Sequence, residues 1–379
     1  MSGTPTPASW RTPCEIIELI LLQVIGTKHL DPVCTSSRFF EFLEKDNRRD
    51  FDEAEWHRRR LRCVCREWKR FLDGEGSRVV SGRLGLDNSP ETMEKTRRAR
   101  RVQYEASLYN WLVQPTQWET FCSSVVSEAA HLETLASHIH LHPRLRRLHV
   151  SVQRSTQSSL CQQLTIALLS NITFLFVKMG FGDRPIMTFK EGPITLPALQ
   201  TLIWSTYFDY ADPFPVTVLD LPSLRHLSLK YDPACAQLLE IGDKYPKLVS
   251  FHVAAATDKY APLRFPSLGH FPRLEELSLN KPFDPNIPTL LPQYHPLQRL
   301  YLRQSSVNDL VKLVHRILRE SPKHLRLISV DDTWFPYLYG YKGIVSLGSY
   351  RALAAESEAK NIRLHDCRGL DLLTMLKEM

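Results

Sequence analysis

From residue 143 onward one short apolar pattern returns at nearly constant intervals. PRLRRLHV (143–150), NITFLFV (171–177), PALQTLIW (197–204), PSLRHLSL (222–229), PKLVSFHV (246–253), PRLEELSL (272–279), PLQRLYL (296–302) and HLRLISV (324–330) follow or approach L-x-x-L-x-L, often with proline just ahead. The first apolar anchors are Leu145, Ile172, Leu199, Leu224, Leu248, Leu274, Leu297 and Leu325, separated by 27, 27, 25, 24, 26, 23 and 28 residues. A weaker ninth unit, AKNIRLHDC (359–367), follows them. Side chains alternate across a strand, so the last two apolar residues of each unit share one face. A single unit cannot bury that face, whereas stacked neighbours make a continuous core. The pattern predicts a row of short parallel strands joined by helices or irregular segments, an α/β architecture.

The N-terminal part has a different period. PCEIIELILLQVIG (13–26) places Ile17, Ile20, Leu21 and Val24 in one helical stripe, widened by Ile16, Leu19 and Ile25. Pro13 suits the first turn and Gly26 the stop. Residues 27–54 are charge-rich and predict an inserted loop. A second helix is expected over about 55–72, where Leu61, Val64, Cys65 and Trp68 recur at three- and four-residue steps. Residues 76–115 read as a linker. Residues 117–141 carry a helical pattern that would cap the row of strands, and 116–379 form the repeat region. DDTWFPYLYGYKG (331–343) reads as an aromatic loop that closes the far end or forms a binding lip.

Charge and candidate chemistry change this picture little. The net charge is +7, but residues 1–110 hold 20 Lys/Arg against 17 Asp/Glu, so the excess is spread along the chain. That spread argues against a dedicated nucleic-acid binder. Eight cysteines are scattered without any CxxC, unlike a secreted disulfide scaffold. With no signal-peptide pattern and no membrane-length apolar run, the expected setting is intracellular, in the cytoplasm, the nucleus or both. Cys63-x-Cys65 lacks the second ligand pair of a zinc site and reads as packing. His138, His140 and His142 read as residues facing a helix end rather than metal ligands. Arg58–Arg60 and KTRRARR (95–101) read as solvated helix faces. HExxH, GxSxG, P-loop and GxGxxG signatures are missing, so no enzyme, no metal and no cofactor is expected.

Two resemblances follow from these residues. The repeat region resembles irregular leucine-rich repeats of the curved solenoid type. PCEIIELILLQVI followed by LRCVCREWKRFL resembles an F-box, with V-C-R-E-W as its most specific part. Thr12 stands where that pattern usually has leucine, and residues 27–54 lengthen the gap between its halves. The resemblance implies that residues 11–75 dock onto the Skp adaptor of a cullin–RING ubiquitin ligase, through contacts drawn from Pro13, Ile16, Ile17, Ile20, Leu21, Val64 and Trp68. It also implies that the solenoid selects the protein to be ubiquitinated.

In L-x-x-L-x-L strands, the residues flanking the last two anchors point to the concave face. Arg147, His149, Phe174, Phe176, Lys178, His226, Lys230, His252, Tyr301 and Arg303 are therefore the expected substrate contacts. They form a cationic, partly aromatic face suited to an acidic or phosphorylated segment. The alternatives are a repeat scaffold with a degenerate F-box and, third, a nucleic-acid-associated protein using the basic runs.

Overall fold

The computed structural model describes isolated positions between 60 and 118. It further describes residues 79–82, 101–104, 120–127, 138–152, 170–179, 194–206, 214–254, 265–280, 292–302, 307–330, 347–366 and 370–378, a few single positions excepted. The chain is an α/β protein built on one 12-stranded sheet in which every pairing is parallel. Its strands run in chain order: β1 (Val79–Gly82), β2 (Arg101–Tyr104), β3 (Thr120–Ser127), β4 (Arg147–Val152), β5 (Phe174–Met179), β7 (Thr201–Thr206), β9 (His226–Lys230), β10 (Ser250–Ala254), β11 (Glu276–Asn280), β12 (Arg299–Leu302), β13 (Leu327–Val330) and β14 (Arg363–His365). The short β6 (Ile194–Thr195) and β8 (Leu219–Asp220) pair apart from it, also in parallel.

Most units begin with the same local device. The N–H of the anchor donates to the carbonyl three residues back: Leu145 to His142, Leu199 to Leu196, Leu224 to Leu221, Leu248 to Tyr245 and Leu274 to Phe271, at 3.0 to 3.2 Å. In these five turns the second residue is Pro143, Pro197, Pro222, Pro246 or Pro272. Proline already holds the φ that this turn position needs and has no N–H to leave unsatisfied. The unit at Leu297 solves the problem differently. His295 Nδ1 accepts from the Leu297 N–H at 3.2 Å, so its protonated Nε2 donates to the Phe271 carbonyl at 2.9 Å.

Turn geometry sets register, and register stacks the core. Leu148, Leu175, Leu202, Leu227, Phe251, Leu277, Leu300, Ile328 and Leu364 are successive partners across the sheet. All are buried, as are the eight anchors from Leu145 to Leu325 and Ile362 of the ninth unit. Aromatic rings fill the wider gaps, with Phe251 against Phe271 at 5.5 Å and Trp204 edge-on to Phe214 at 5.8 Å.

The connections change along the array. Between β9 and β10 runs α1 (Cys235–Lys244), and a 3₁₀ turn (Leu268–His270) precedes β11. Toward the C-terminus come α2 (Val307–Glu320), α3 (Leu347–Ala359) and α4 (Leu372–Glu378). His315 of α2 meets Glu356 of α3 at 2.7 Å, and Lys360 caps the last carbonyls of α2. Among the described residues no helix is long and apolar enough to cross a membrane.

Four expectations change. Residues 120–127, read as part of a capping helix, are strand β3, because TFCSSVVS is rich in β-favouring residues and can extend the parallel ladder on both sides. Residues 76–115, read as a linker, contribute β1 and β2 to the same sheet. The helix expected over 55–72 is interrupted: Cys63 N–H donates to Arg60 O and Val64 N–H to Leu61 O, both at 3.1 Å, in a tighter turn between helical positions. Cysteine and valine are among the weaker helix formers. The first expected helix, the 27–54 insertion and the 331–343 loop lie outside the described residues. KTRRARR is not simply a solvated helix face either, since Ala99 is buried and Arg101 opens β2.

Two substitutions test this packing. Leu277→Ala empties a fully enclosed site in the stacked row and is expected to cost about 2–5 kcal/mol in denaturant unfolding. A Cβ at Gly242 would stand 2.8 Å from His270 Cβ and 2.9 Å from its carbonyl oxygen. Gly242→Ala should therefore destabilise by about 1–3 kcal/mol although it improves helix propensity.

Candidate functional site

The strand residues that alternate with the core pair form the opposite face of the sheet, in two rows fixed by register. One runs Arg147, Phe174, Thr201, His226, Ser250, Glu276, Arg299. The other runs His149, Phe176, Ile203, Ser228, His252, Ser278, Tyr301. This is the face on which the substrate contacts were expected. Its middle is closed to solvent: His226 is 6% exposed, His252 3% and Glu276 1%, and Thr201, Ile203, Ser228, Ser250 and Ser278 are buried with them.

Burial reverses the expected electrostatics. His252 Nδ1 shares a 2.9 Å hydrogen bond with Ser228 Oγ. Desolvation, with the Lys230 charge added, holds its pKa down to about 3. His226 is held down to about 4 by desolvation and by Arg225. Both imidazoles are therefore neutral near pH 7, and neither contributes to a cationic face. Beside them stands a carboxyl group. Ser250 Oγ donates to Glu276 Oε2 at 3.2 Å, and Arg299 Nη1 donates to Oε1. Burial nevertheless pushes Glu276 up to about 7, with Arg299 and Ser250 acting against that rise.

The expected residues thus fall into separate groups. At one end His149 stacks on Phe174 at 5.0 Å and meets Phe176 edge-on at 5.5 Å, while the half-buried Lys230 lies 6.0 Å from the Phe176 ring centre. Arg147 and Tyr301 are half-buried. His226 and His252 belong to the closed middle. The Lys178 side chain and Arg303 lie outside the described residues. Glu276 and Arg299 were missed in the sequence reading. Their signal was the matching strand position in adjacent units, which parallel register turns into direct neighbours.

Of the N-terminal residues, Pro13, Ile16, Ile17, Ile20 and Leu21 lie outside the described residues. Val64 is 60% exposed and Trp68 half-buried. Cys63 is an exposed thiol, whereas Cys65 lies outside the described residues. The HIHLH histidines do not share one role. His142 is buried, bonds Thr116 Oγ1 at 2.8 Å through Nδ1 and stacks on Trp118 at 5.1 Å. It is a core histidine, buried directly after the 3₁₀ turn Ile139–Leu141.

Compared with known proteins, the chain matches no family model and no curated protein.

The buried histidines imply a pH dependence with a definite sign. Each has a folded pKa below its unfolded value of 6.5, so the stability from keeping it neutral is complete above pH 6.5 and is lost as pH falls toward 4. Glu276 acts in the opposite sense, favouring the fold below about 4.5 and losing that contribution as pH rises to about 7. His252→Asn should therefore lose less stability than the parent between pH 6.5 and 4, measured as the slope of the urea midpoint against pH. Equal slopes would place the imidazole in contact with water.

Proposed function

We propose that the chain is the substrate-recognition subunit of an SCF-type E3 ubiquitin ligase. Residues 11–75 serve as an F-box that docks onto the Skp adaptor of a cullin complex. The parallel array serves as a leucine-rich-repeat-like solenoid that presents the protein to be modified. The observation that carries the adaptor half is Val64. Within V-C-R-E-W it is 60% exposed, four residues before the half-buried Trp68. An exposed aliphatic side chain beside a partly covered tryptophan is a suitable centre for an apolar contact that a partner completes. The carrier half is supported by the sequential parallel order of the strands, since a long array with its units in chain order offers an extended surface to a polypeptide.

Val64→Glu in the full chain tests the reading without touching the core, because the side chain is already exposed. It should leave thermal unfolding unchanged and lower recovery of the Skp adaptor and cullin by at least about tenfold. Undiminished recovery would remove Val64 from the contact. Absence of the adaptor from purifications of the parent chain would leave the repeat array as a scaffold of another kind.

A further inference from the structure

Seven exposed cations of the array line up not on the face expected to bind substrate but along the edge where the strands begin. In each unit one residue precedes the buried anchor and one follows it, at the turn that leads into the strand. The preceding position holds Arg144, Lys247 and Arg273, and the following one holds Arg146, Arg225, Arg326 and Arg363; the only acid at either position is Glu275. All seven cations are exposed. The following positions are stitched side by side, each N–H donating to the carbonyl of the equivalent residue one unit back: Arg225 to Gln200 at 2.8 Å, Val249 to Arg225 at 2.7 Å and Glu275 to Val249 at 2.8 Å. The charges therefore stand on a fixed backbone rail with a rung about every 4.8 Å.

Midway along this rail lies an open groove of about 620 Å³. Arg225, Lys247 and Arg273 surround it, and Val249, Pro272 and Pro296 supply apolar wall. Lys247 Nζ donates to the Pro222 carbonyl at 3.0 Å, which holds its charge over the groove. Neither Arg225 nor Arg273 is paired with a carboxylate among the described residues. Unpaired guanidinium groups on a rigid support are ready to take carboxylates in two-pronged hydrogen bonds.

We propose that this rim binds an acidic polypeptide segment carrying an apolar residue among its carboxylates. The groove itself decides against nucleic acid. Its wall has no aromatic ring on which a base could stack. Glu275 among the cations would oppose a continuous row of phosphates, whereas a peptide can turn a backbone N–H toward it. The inference holds whether or not the N-terminal segment recruits an adaptor.

The test uses the full-length chain and fluorescence anisotropy against a panel of synthetic peptides of about a dozen residues, each placing one apolar residue among glutamates and aspartates. The same peptides with Gln and Asn, and a thymidine oligonucleotide, serve as competitors. Acidic peptides should bind, weaken with added salt and lose to the oligonucleotide competitor only at high excess. Arg225→Glu/Arg273→Glu should weaken them by at least about tenfold, and Lys230→Glu should not. Arg225→Gln/Arg273→Gln, which only removes charge, keeps the test valid if the reversal fails to fold. Val64→Glu should bind peptide normally, which separates this site from adaptor docking. The proposal is overturned if no acidic peptide binds, if the rim variants bind like the parent, or if the oligonucleotide is preferred.

Discussion

The array rests on the lateral repetition of one backbone rung. From β5 to β13 of the large sheet the N–H ahead of the strand is committed to the previous unit, and the N–H of most anchors is committed to the turn that starts its own unit. Together these bonds fix both the height and the rotation of every strand, so the apolar pairs fall into line without further instruction. A shift of one residue would turn each core side chain to the opposite face. The cost of that error, repeated over nine units, gives the register its specificity. His295 shows how strong the constraint is: where the turn changes, a buried imidazole supplies the missing acceptor.

The same rail explains the two unlike surfaces at its sides. Inside the strands, side chains crowd at the strand spacing, and small serines at 228, 250 and 278 share space with His226, His252 and Glu276. Charge is expensive there, so the histidines are neutral and the single carboxyl group sits against a guanidinium. At the strand entrances the chain is turning and open to water. Arginine and lysine are tolerated at that edge without a carboxylate partner among the described residues. Desolvation, more than sequence composition, sorts the charges between the two surfaces. The rim is then a place where a partner's carboxylates meet cations already held in a row, and the closed middle of the sheet lends that row its rigidity.

Much of the fold was legible before any coordinate. Eight anchors and a ninth unit were recognisable from spacing alone, because a buried leucine at the same place in every turn leaves a strong period. Strands β1 to β3 were not. Residues 79–82 and 101–104 carry no anchor motif, and the apolar residues of 117–141 repeat at helical steps although part of the segment is strand. What decided them was an open edge at β4 to pair with. The turn at Cys63 and Val64 likewise leaves no mark in an apolar period that reads as one helix.

The contact residues divide the same way. Their alternation puts His226, His252, Lys230 and Tyr301 on one face, since strand geometry alone dictates that. Whether that face meets water was not a local property. Stacking buries its middle, desolvation neutralises the imidazoles, and register brings Glu276 against Arg299 across a gap of 23 residues. The rim has the same origin. Arg225, Lys247 and Arg273 lie some two dozen residues apart and form no cluster in the linear chain. Local spacing determines the turns, the strands and the buried row; which charges become neighbours is decided only when the units stack, because proximity across parallel strands is set by register rather than by distance along the chain.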